Sequence, residues 1–590
     1  MRAQFQLFCV GLIQQDLWLE KRLKPTKTGY DRTLCCMKGT RQFILNDIIT
    51  WVTNGSESTN IYWIHGSPGI GKTSLAHSIC EALHGRNQLI GAFFCQRDDT
   101  DSSKPRNILP TLLYKLAEVS STFRSIMAER LCSNPNLTTE SMKDEHFLDF
   151  ILSMPGQANE HSLAFVIDAL DECGNRKTRE DVLKALTDAA ARAPWLKIII
   201  TSRPEADIER FFSGLIGSSY SSYDLATDHK ATDDLRTFAR NQFHSVALYW
   251  HLPTPWPEES DFNTLISRAK GLFIFIKTLI LALENSGNAQ KCLKEALQGS
   301  AGAGLESLYG LYSSILKARS NIDGFWRMIV VTTTAQYRPL CKESISKLTG
   351  VEPSLVETWV DSLSSLLYRD EGASGAIRVR HLSISDFFLS DRCEYQVNLQ
   401  EAHAQQGIAC LETMIKELRF NICKLDDSRL ANTDVKDLQS RIEENISNPL
   451  QYSSLYWSNH LCFSPDSMNH DPQALGPLGG FFEGSYPLFW VEVLSIMGMV
   501  PMGAPSLRRV ISGIRVSLAI RPHAKVVLMC CSMAIRPSLR EFKTSAVSSS
   551  PSTPRSLSAL HTRIFQPDPS CPRSRIYQTP SMHCLLKVSR

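Results

Sequence analysis

Residues 61–74 read Ile-Tyr-Trp-Ile-His-Gly-Ser-Pro-Gly-Ile-Gly-Lys-Thr-Ser, an apolar run that feeds straight into the spacing G-x-x-x-x-G-K-T. Gly66, Gly69 and Gly71 let the backbone curl, so that successive N–H groups and the start of a following helix converge on an anion. The cradle candidates are Gly66, Ser67, Pro68, Gly69, Ile70, Gly71, Lys72, Thr73 and Ser74. In such a loop the lysine, Lys72, reaches the β- and γ-phosphates and the Thr73 hydroxyl ligates Mg²⁺. A glycine-rich turn alone reads the same way. The strand expected before it (Ile61–His65) and the helix expected after it (Lys72–Leu83) favour the phosphate loop.

Two later stretches point to the same chemistry. Leu163-Ala-Phe-Val-Ile-Asp-Ala-Leu-Asp-Glu172 reads as a buried parallel strand ending in acids. An aspartate at such a strand end, beside a phosphate loop, holds the Mg²⁺ shell, and Asp168 is the candidate. Asp171 and Glu172 follow, where a carboxylate can orient or deprotonate an attacking water; a solvated helix start rich in acids is the plainer alternative. Lys197-Ile-Ile-Ile-Thr-Ser-Arg-Pro-Glu205 reads as another buried strand. Its tip offers Thr201, Ser202 and Arg203 to the crevice at the carboxyl ends of the strands, where Arg203 can report a γ-phosphate. The alternation of strands with helices such as Ile108–Ser120 and Arg179–Ala193 predicts an α/β domain, a parallel sheet with helices on both faces.

Gly66–Ser74, the Phe165–Glu172 block and Thr201-Ser-Arg-Pro-Glu205 together resemble a NACHT-type P-loop NTPase domain, the nucleotide-binding module of STAND switch ATPases. The variety most similar is the nephrocystin-like N-terminal NACHT module of large fungal NACHT proteins. Its lead-in resembles Cys36-Met-Lys-Gly-Thr-Arg41 and Ile48-Ile-Thr-Trp51. The resemblance spans about residues 23–500 and is strongest over 33–210. It implies ATP or ADP with Mg²⁺, slow hydrolysis, a closed monomer that self-associates on activation through an unidentified ligand or protein partner, and a setting in non-self recognition. It also implies that Gly271–Leu279 is the helix closing over the nucleotide, although a buried bundle helix fits equally. His381, in His-Leu-Ser-Ile-Ser-Asp-Phe-Phe, resembles the histidine that contacts ADP in this class. A single histidine at a strand end is more commonly structural.

At 590 residues the chain has room for several domains, and 43% hydrophobic with 21% charged residues is ordinary for a globular protein. No apolar stretch reaches the roughly 20 residues of a membrane span; Gly271–Leu283 contains Lys277, and Leu488–Val500 contains Glu492. The seventeen cysteines include no C-x-x-C pair, which predicts reduced thiols, a cytoplasmic setting and no zinc.

The expected organisation is a lead segment (1–32), the NTPase domain (33–230) opening on an amphipathic helix over 33–53, a helical segment (231–320), a winged-helix-like segment (321–395), a helical connector (396–505) and a tail (506–590). The winged reading rests on helices near Phe325–Val331, Lys342–Leu348 and Ser354–Leu366, followed by strands near Leu367–Arg369 and Ala376–His381. Winged helices can bind DNA. This one lacks a dense basic recognition helix, Lys342 and Lys347 being its main cations, so nucleic acid is not the expected partner. The tail carries about +12 against about −9 for the rest, with runs such as Ser548-Ser-Ser-Pro-Ser-Thr-Pro-Arg555. It reads either as a disordered basic tail or as a mispredicted reading frame standing where a repeat sensor is expected. Three functions follow: a nucleotide-operated switch, a nucleotide-binding scaffold with little turnover, and a DNA-associated NTPase. Adenine and guanine are not distinguished by any motif.

Overall fold

The computed structural model describes residues 16–513 apart from 28, 54–58, 100, 135–136, 138–141, 155–161, 216–219, 229, 299–301, 318–323, 371–374, 394–395, 427–431 and 464–471. The first half of the lead segment and the tail beyond 513 lie outside the described residues.

Strands β1 (Ile61–His65), β2 (Leu89–Phe94), β3 (Leu163–Asp168), β4 (Leu196–Ser202) and β5 (Ser221–Asp224) form one parallel sheet in the order β2-β3-β4-β1-β5. The apolar runs of β1, β3 and β4, interrupted in β4 by the buried Lys197, follow from burial on both faces. Alternate residues face opposite ways. Tyr62, Ile64, Val166 and Ile199 pack with Leu75 and Ile79, in a core that continues into the C-terminal half. Trp63, Phe165, Ile167, Ile198 and Ile200 pack with Leu112, Leu116 and Leu186 in a second core on the other face. Because β4 lies between β1 and β3, Arg203 leaves the sheet between the phosphate loop and the Asp168 tip.

The helix expected over 33–53 is shorter. It runs Gln42–Thr53 and buries Ile44, Ile48, Trp51 and Val52, while Phe43 stays exposed. Before it, Arg32–Leu34 is one 3₁₀ turn capped by the Asp31 carboxylate, which accepts from Thr33 N–H. Gly39 (φ +89°) and Arg41 (φ +57°) are left-handed, so an α-helix cannot pass through them.

The helical segment comprises Ala231–Tyr249, Glu259–Ala269, Phe273–Glu284, Ala289–Gln298 and Leu305–Lys317. The next segment has the winged order: helices Phe325–Thr333, Lys342–Thr349 and Pro353–Ser362, then the antiparallel pair β6 (Leu367–Arg369) and β7 (Ile377–Val379), then a short helix Ser383–Leu389. The connector is built on Leu399–Glu417, Asn448–Leu461 and Tyr486–Ile496. None of the helices among the described residues is long and apolar enough to cross a membrane.

The boundary expected at 505 falls inside the helix Val500–Gly513, in which Pro505 is accommodated and Leu507 and Val510 are buried. The packed body therefore includes residues that composition had grouped with the tail. Leu507→Ala should lower stability by about 2–5 kcal/mol, the range for truncating a buried leucine. A chain ending at Pro505 should melt below one ending at Gly513. Equal melting temperatures for those two chains would remove this helix from the core.

Candidate phosphate-binding cleft

The loop is delivered by the C-terminal end of β1 and handed to the helix Lys72–His84. Gly69 (φ +80°) and Gly71 (φ +99°) take backbone conformations that side chains resist. Gly69 also has no room: a Cβ there would lie 2.1 Å from Ile274 Cγ2 and 3.7 Å from His381 Cε1. The Ile274 N–H donates to the Gly69 carbonyl at 3.2 Å. Lys72 Nζ donates to the carbonyls of Gly66 (2.7 Å) and Ser67 (3.0 Å). Burial holds its pKa below the ordinary lysine value, against the pull of Asp171, Asp168 and Glu172.

Arg41, from the lead-in, grips the same loop. Its guanidinium donates to the Ile70 carbonyl and pairs with Asp228, both at 2.8 Å, and its backbone N–H donates to Asp234 at 3.0 Å. The Arg41 and Asp228 side chains are 2% and 3% exposed, and further partners help offset their desolvation: the Lys230 N–H donates to Asp228 at 2.9 Å, and Arg41 lies 5.3 Å over the Phe273 ring. Sequence reasoning gave Arg41 no role; its place in Gly39-Thr40-Arg41, just ahead of the loop, was the one signal.

The acids divide into unlike environments. Asp168 is buried at the end of β3 and accepts from the Thr201 hydroxyl at 2.5 Å. Burial raises its pKa, opposed by the hydroxyls of Thr201 and Thr73 and by Lys72. Asp171 accepts from the Arg203 backbone N–H at 2.9 Å and pairs with Arg203 Nε at 3.3 Å. It is therefore a buried anchor, not the solvated helix start or free rival base that its position suggested. Among the described residues the Glu172 carboxylate has no hydrogen bond or ion pair. Burial pushes its pKa up to about 8, aided by Asp171 and Asp168 and opposed by Arg97 and Arg203. Thr201 and Ser202 do not reach the cleft: Thr201 accepts from Ala169 N–H at 3.0 Å, and Ser202 accepts from Trp63 Nε1–H at 2.9 Å. Arg203 does reach it, and its Nη1 also pairs with Asp386 of the winged segment at 2.7 Å. Burial lowers the Arg203 pKa, but Asp386 and Asp171 outweigh it and hold it above the ordinary value.

His381 sits against the loop, its Nδ1 accepting from the Ser383 N–H at 3.1 Å. Burial, with Arg203, Lys72 and Lys277 nearby, pushes its pKa down to about 3. The ring is thus neutral at physiological pH, with its proton on Nε2. Phe273, Ile274 and Lys277 of the helix Phe273–Glu284 line the same cleft, while Phe275, Ile276 and Leu279 are buried in the core. The segment is thus a buried helix with one face lining the cleft.

These elements enclose a cleft of about 1440 Å³. It brings together Pro68, Gly69, Gly71, Lys72, Thr73, Ser74, Asp168, Asp171, Glu172, Arg203 and His381. Gly66 and Ser67 contribute as acceptors for Lys72, and the Ile70 side chain is buried in the core. The donor set Thr73 and Asp168 is all oxygen, the chemistry Mg²⁺ prefers, and the loop glycines Gly69 and Gly71 line the cleft beside the cations Lys72 and Arg203. Nucleotide and Mg²⁺ both fit the residues present.

Residues 39–203 match the family model described as Nephrocystin 3, N-terminal. No curated protein matches the chain. Among solved structures, the chain is similar to the Walker-type ATPase PABY2304 of Pyrococcus abyssi at 14% identity, covering 62% of this chain and 99% of that one with a TM-score of 0.32. It is likewise similar to Cdc6p from Pyrobaculum aerophilum at 13% identity, covering 61% and 96% with a TM-score of 0.30. A Drosophila ORC structure, titled as bound to AT-rich DNA and Cdc6, matches at 11% identity over 90% and 75% with a TM-score of 0.25. Likeness this low carries nothing about activity; sheet order, phosphate loop and family match together establish a P-loop NTPase fold with a nephrocystin-like N-terminal module.

Proposed function

We propose that this chain is a nucleotide-operated switch of the NACHT/STAND type, which holds Mg²⁺-ATP or ADP, hydrolyses ATP slowly and self-associates when its closing segments move. One observation supports this reading above the others. The phosphate loop is roofed by residues from outside its own domain: Ile274 and His381 lie on Gly69, and Arg203 is shared with Asp386. A phosphate seated on the loop is therefore in reach of the segments that would move. ATP in preference to GTP rests on resemblance alone.

The loop N–H groups and Lys72 would bind the β- and γ-phosphates. Thr73 and Asp168 would hold Mg²⁺, which when bound supplies charge neutralisation at the phosphate oxygens. Glu172, once ionised, is the carboxylate free to take a proton from an attacking water, because Asp171 is committed to Arg203. His381 would donate from Nε2 to a bound phosphate. The scaffold reading draws on one observation, that Glu172 holds its proton up to about pH 8; that same observation favours slow turnover within a switch. The DNA reading draws no such support. Lys342 pairs with Glu357, Lys347 with Glu417, Arg369 with Glu357 and Asp361, and Arg378 with Asp98 and Asp370, so these cations of the winged segment are already engaged.

Lys72→Ala should abolish Mg²⁺-nucleotide binding in calorimetry while the protein still melts cooperatively. Undiminished affinity would sink the phosphate-loop assignment. Glu172→Gln should bind normally and hydrolyse roughly 10²–10⁴-fold more slowly. Because burial raises the Glu172 pKa to about 8, the wild-type rate should climb through about pH 8 and level roughly one pH unit above it. The Gln variant should show no such climb, and a flat wild-type profile would remove Glu172 from the proton-transfer role. His381→Ala should speed release of ADP more than of ATP; equal acceleration of both would leave the histidine a structural residue.

A further inference from the structure

We propose that Asp386 sets the discrimination between nucleoside diphosphate and triphosphate at this cleft, by competing with the terminal phosphate for Arg203. The inference rests on the nucleotide-switch reading. Arg203 carries one positive charge and already serves two carboxylates: Asp171 through Nε (3.3 Å) and Asp386 through Nη1 (2.7 Å). It lines the cleft with Lys72, and the two cations are close enough to depress the Lys72 pKa. A terminal phosphate beside Lys72 would be a third anion in reach of the same guanidinium. The pairs use Nε and Nη1, so the Nε–Nη2 edge of the fork is shared with Asp171 and the Nη1–Nη2 edge with Asp386, and a phosphate bound bidentately competes with one of the two carboxylates.

The geometry decides which one yields. Asp171 lies in the 3₁₀ turn Leu170–Glu172, at the tip of β3. It also receives the Arg203 main-chain N–H at 2.9 Å, and its own carbonyl accepts from Arg179 at 3.2 Å. The Asp171 side chain is 3% exposed, so without the guanidinium its charge would stay largely out of reach of water. Asp386 holds Arg203 by the side-chain pair alone, across two segments. Its own helix is fastened elsewhere: Phe387 packs on Tyr309 and Tyr312 with ring centroids 5.3 and 5.7 Å apart, and Ser383 Oγ meets Tyr312 Oη at 2.8 Å. The Asp386 side chain is 23% exposed, so water can take it up once the arginine turns. A diphosphate leaves the Arg203–Asp386 pair intact and a triphosphate opposes it. By linkage the pair weakens triphosphate binding by the same factor that the triphosphate weakens the pair.

The test uses the full chain with ADP and a β,γ-imido triphosphate analogue, each with Mg²⁺, titrated by calorimetry. Asp386→Asn removes the charge and little volume. It should leave ADP affinity near wild type and raise analogue affinity about 5- to 150-fold, the span of ordinary coupling between sites. Asp386→Glu keeps the charge and should stay near the wild-type ratio. In an Arg203→Gln background, Asp386→Asn should no longer move the ratio. Equal changes in both affinities, or a shift that persists without Arg203, would reduce Asp386 to a structural residue and overturn the inference. Wild-type protein that binds neither nucleotide in a Lys72-dependent way would overturn the switch reading itself, and this inference with it. Lys72-dependent binding of both, with the ratio unmoved by Asp386→Asn, would overturn this inference alone.

Discussion

No side chain fits on Gly69, and much of the site follows from that. Its carbonyl is held by the Ile274 N–H, and the next carbonyl, of Ile70, is held by Arg41. In a trans peptide the N–H points away from the C=O of the same plane. Pinning the oxygens of Gly69 and Ile70 therefore turns the N–H groups of Ile70 and Gly71 to the opposite side. Lys72 does the same for Gly66, orienting the Ser67 N–H, while the peptide it holds at Ser67 leads into Pro68 and has no N–H to offer. The donors of the cradle are thus oriented by an arginine of the lead-in and a helix of the next segment. Ordered donors at fixed positions are what make such loops effective, because no reorganisation is needed when charge arrives.

The charges around this loop are arranged unequally. Asp168, Asp171 and Glu172 line the cleft together with Lys72 and Arg203. Partners differ more than distances do. Asp168 has hydroxyls, Asp171 has an arginine and a main-chain N–H, and Glu172 has neither. Burial acts against ionisation, and it pushes the pKa of Glu172, the acid without a hydrogen-bond donor, up to about 8. Ionising it requires either higher pH or added positive charge nearby.

What the sequence made legible was local and periodic. The strand limits Ile61–His65 and Leu163–Asp168 were readable because a strand buried on both faces is an uninterrupted apolar run that stops at the first polar tip. The winged order was readable because each element has its own periodicity. Residues whose roles depend on partners far along the chain were not. Asp171 and Glu172 are adjacent and chemically alike, and only the approach of Arg203, 32 residues from Asp171, separates an anchor from a candidate base. Thr201 and Ser202 looked like ligand contacts but turn to Asp168 and Trp63. The early start expected for the helix at 33 failed on the left-handed Arg41, a conformation imposed by the contacts its side chain makes elsewhere. The boundary at 505 failed because a proline and a rise in basic residues marked a change of composition, whereas Leu507 and Val510 continue the apolar face.

Ion pairs alone do not hold the closing segments in place. Partly exposed pairs contribute little, typically about 1 kcal/mol or less each. The bulk of the attachment is apolar: Phe325 against Trp359, Phe387 against Tyr309 and Tyr312, and Ile274 on the loop, all within a core that runs on from the sheet. That apolar area is indifferent to which nucleotide is present. Discrimination has to come from the few polar contacts that a phosphate can reach. Arg378, paired with Asp98 and Asp370, and Arg41, paired with Asp228, line the same cleft, but it is Arg203 whose charge acts on Lys72. The Arg203 pairs differ from these in facing the place a terminal phosphate would occupy. A weak interaction in that position matters more than a strong one elsewhere, because a ligand shifts an equilibrium only through contacts that differ between its states.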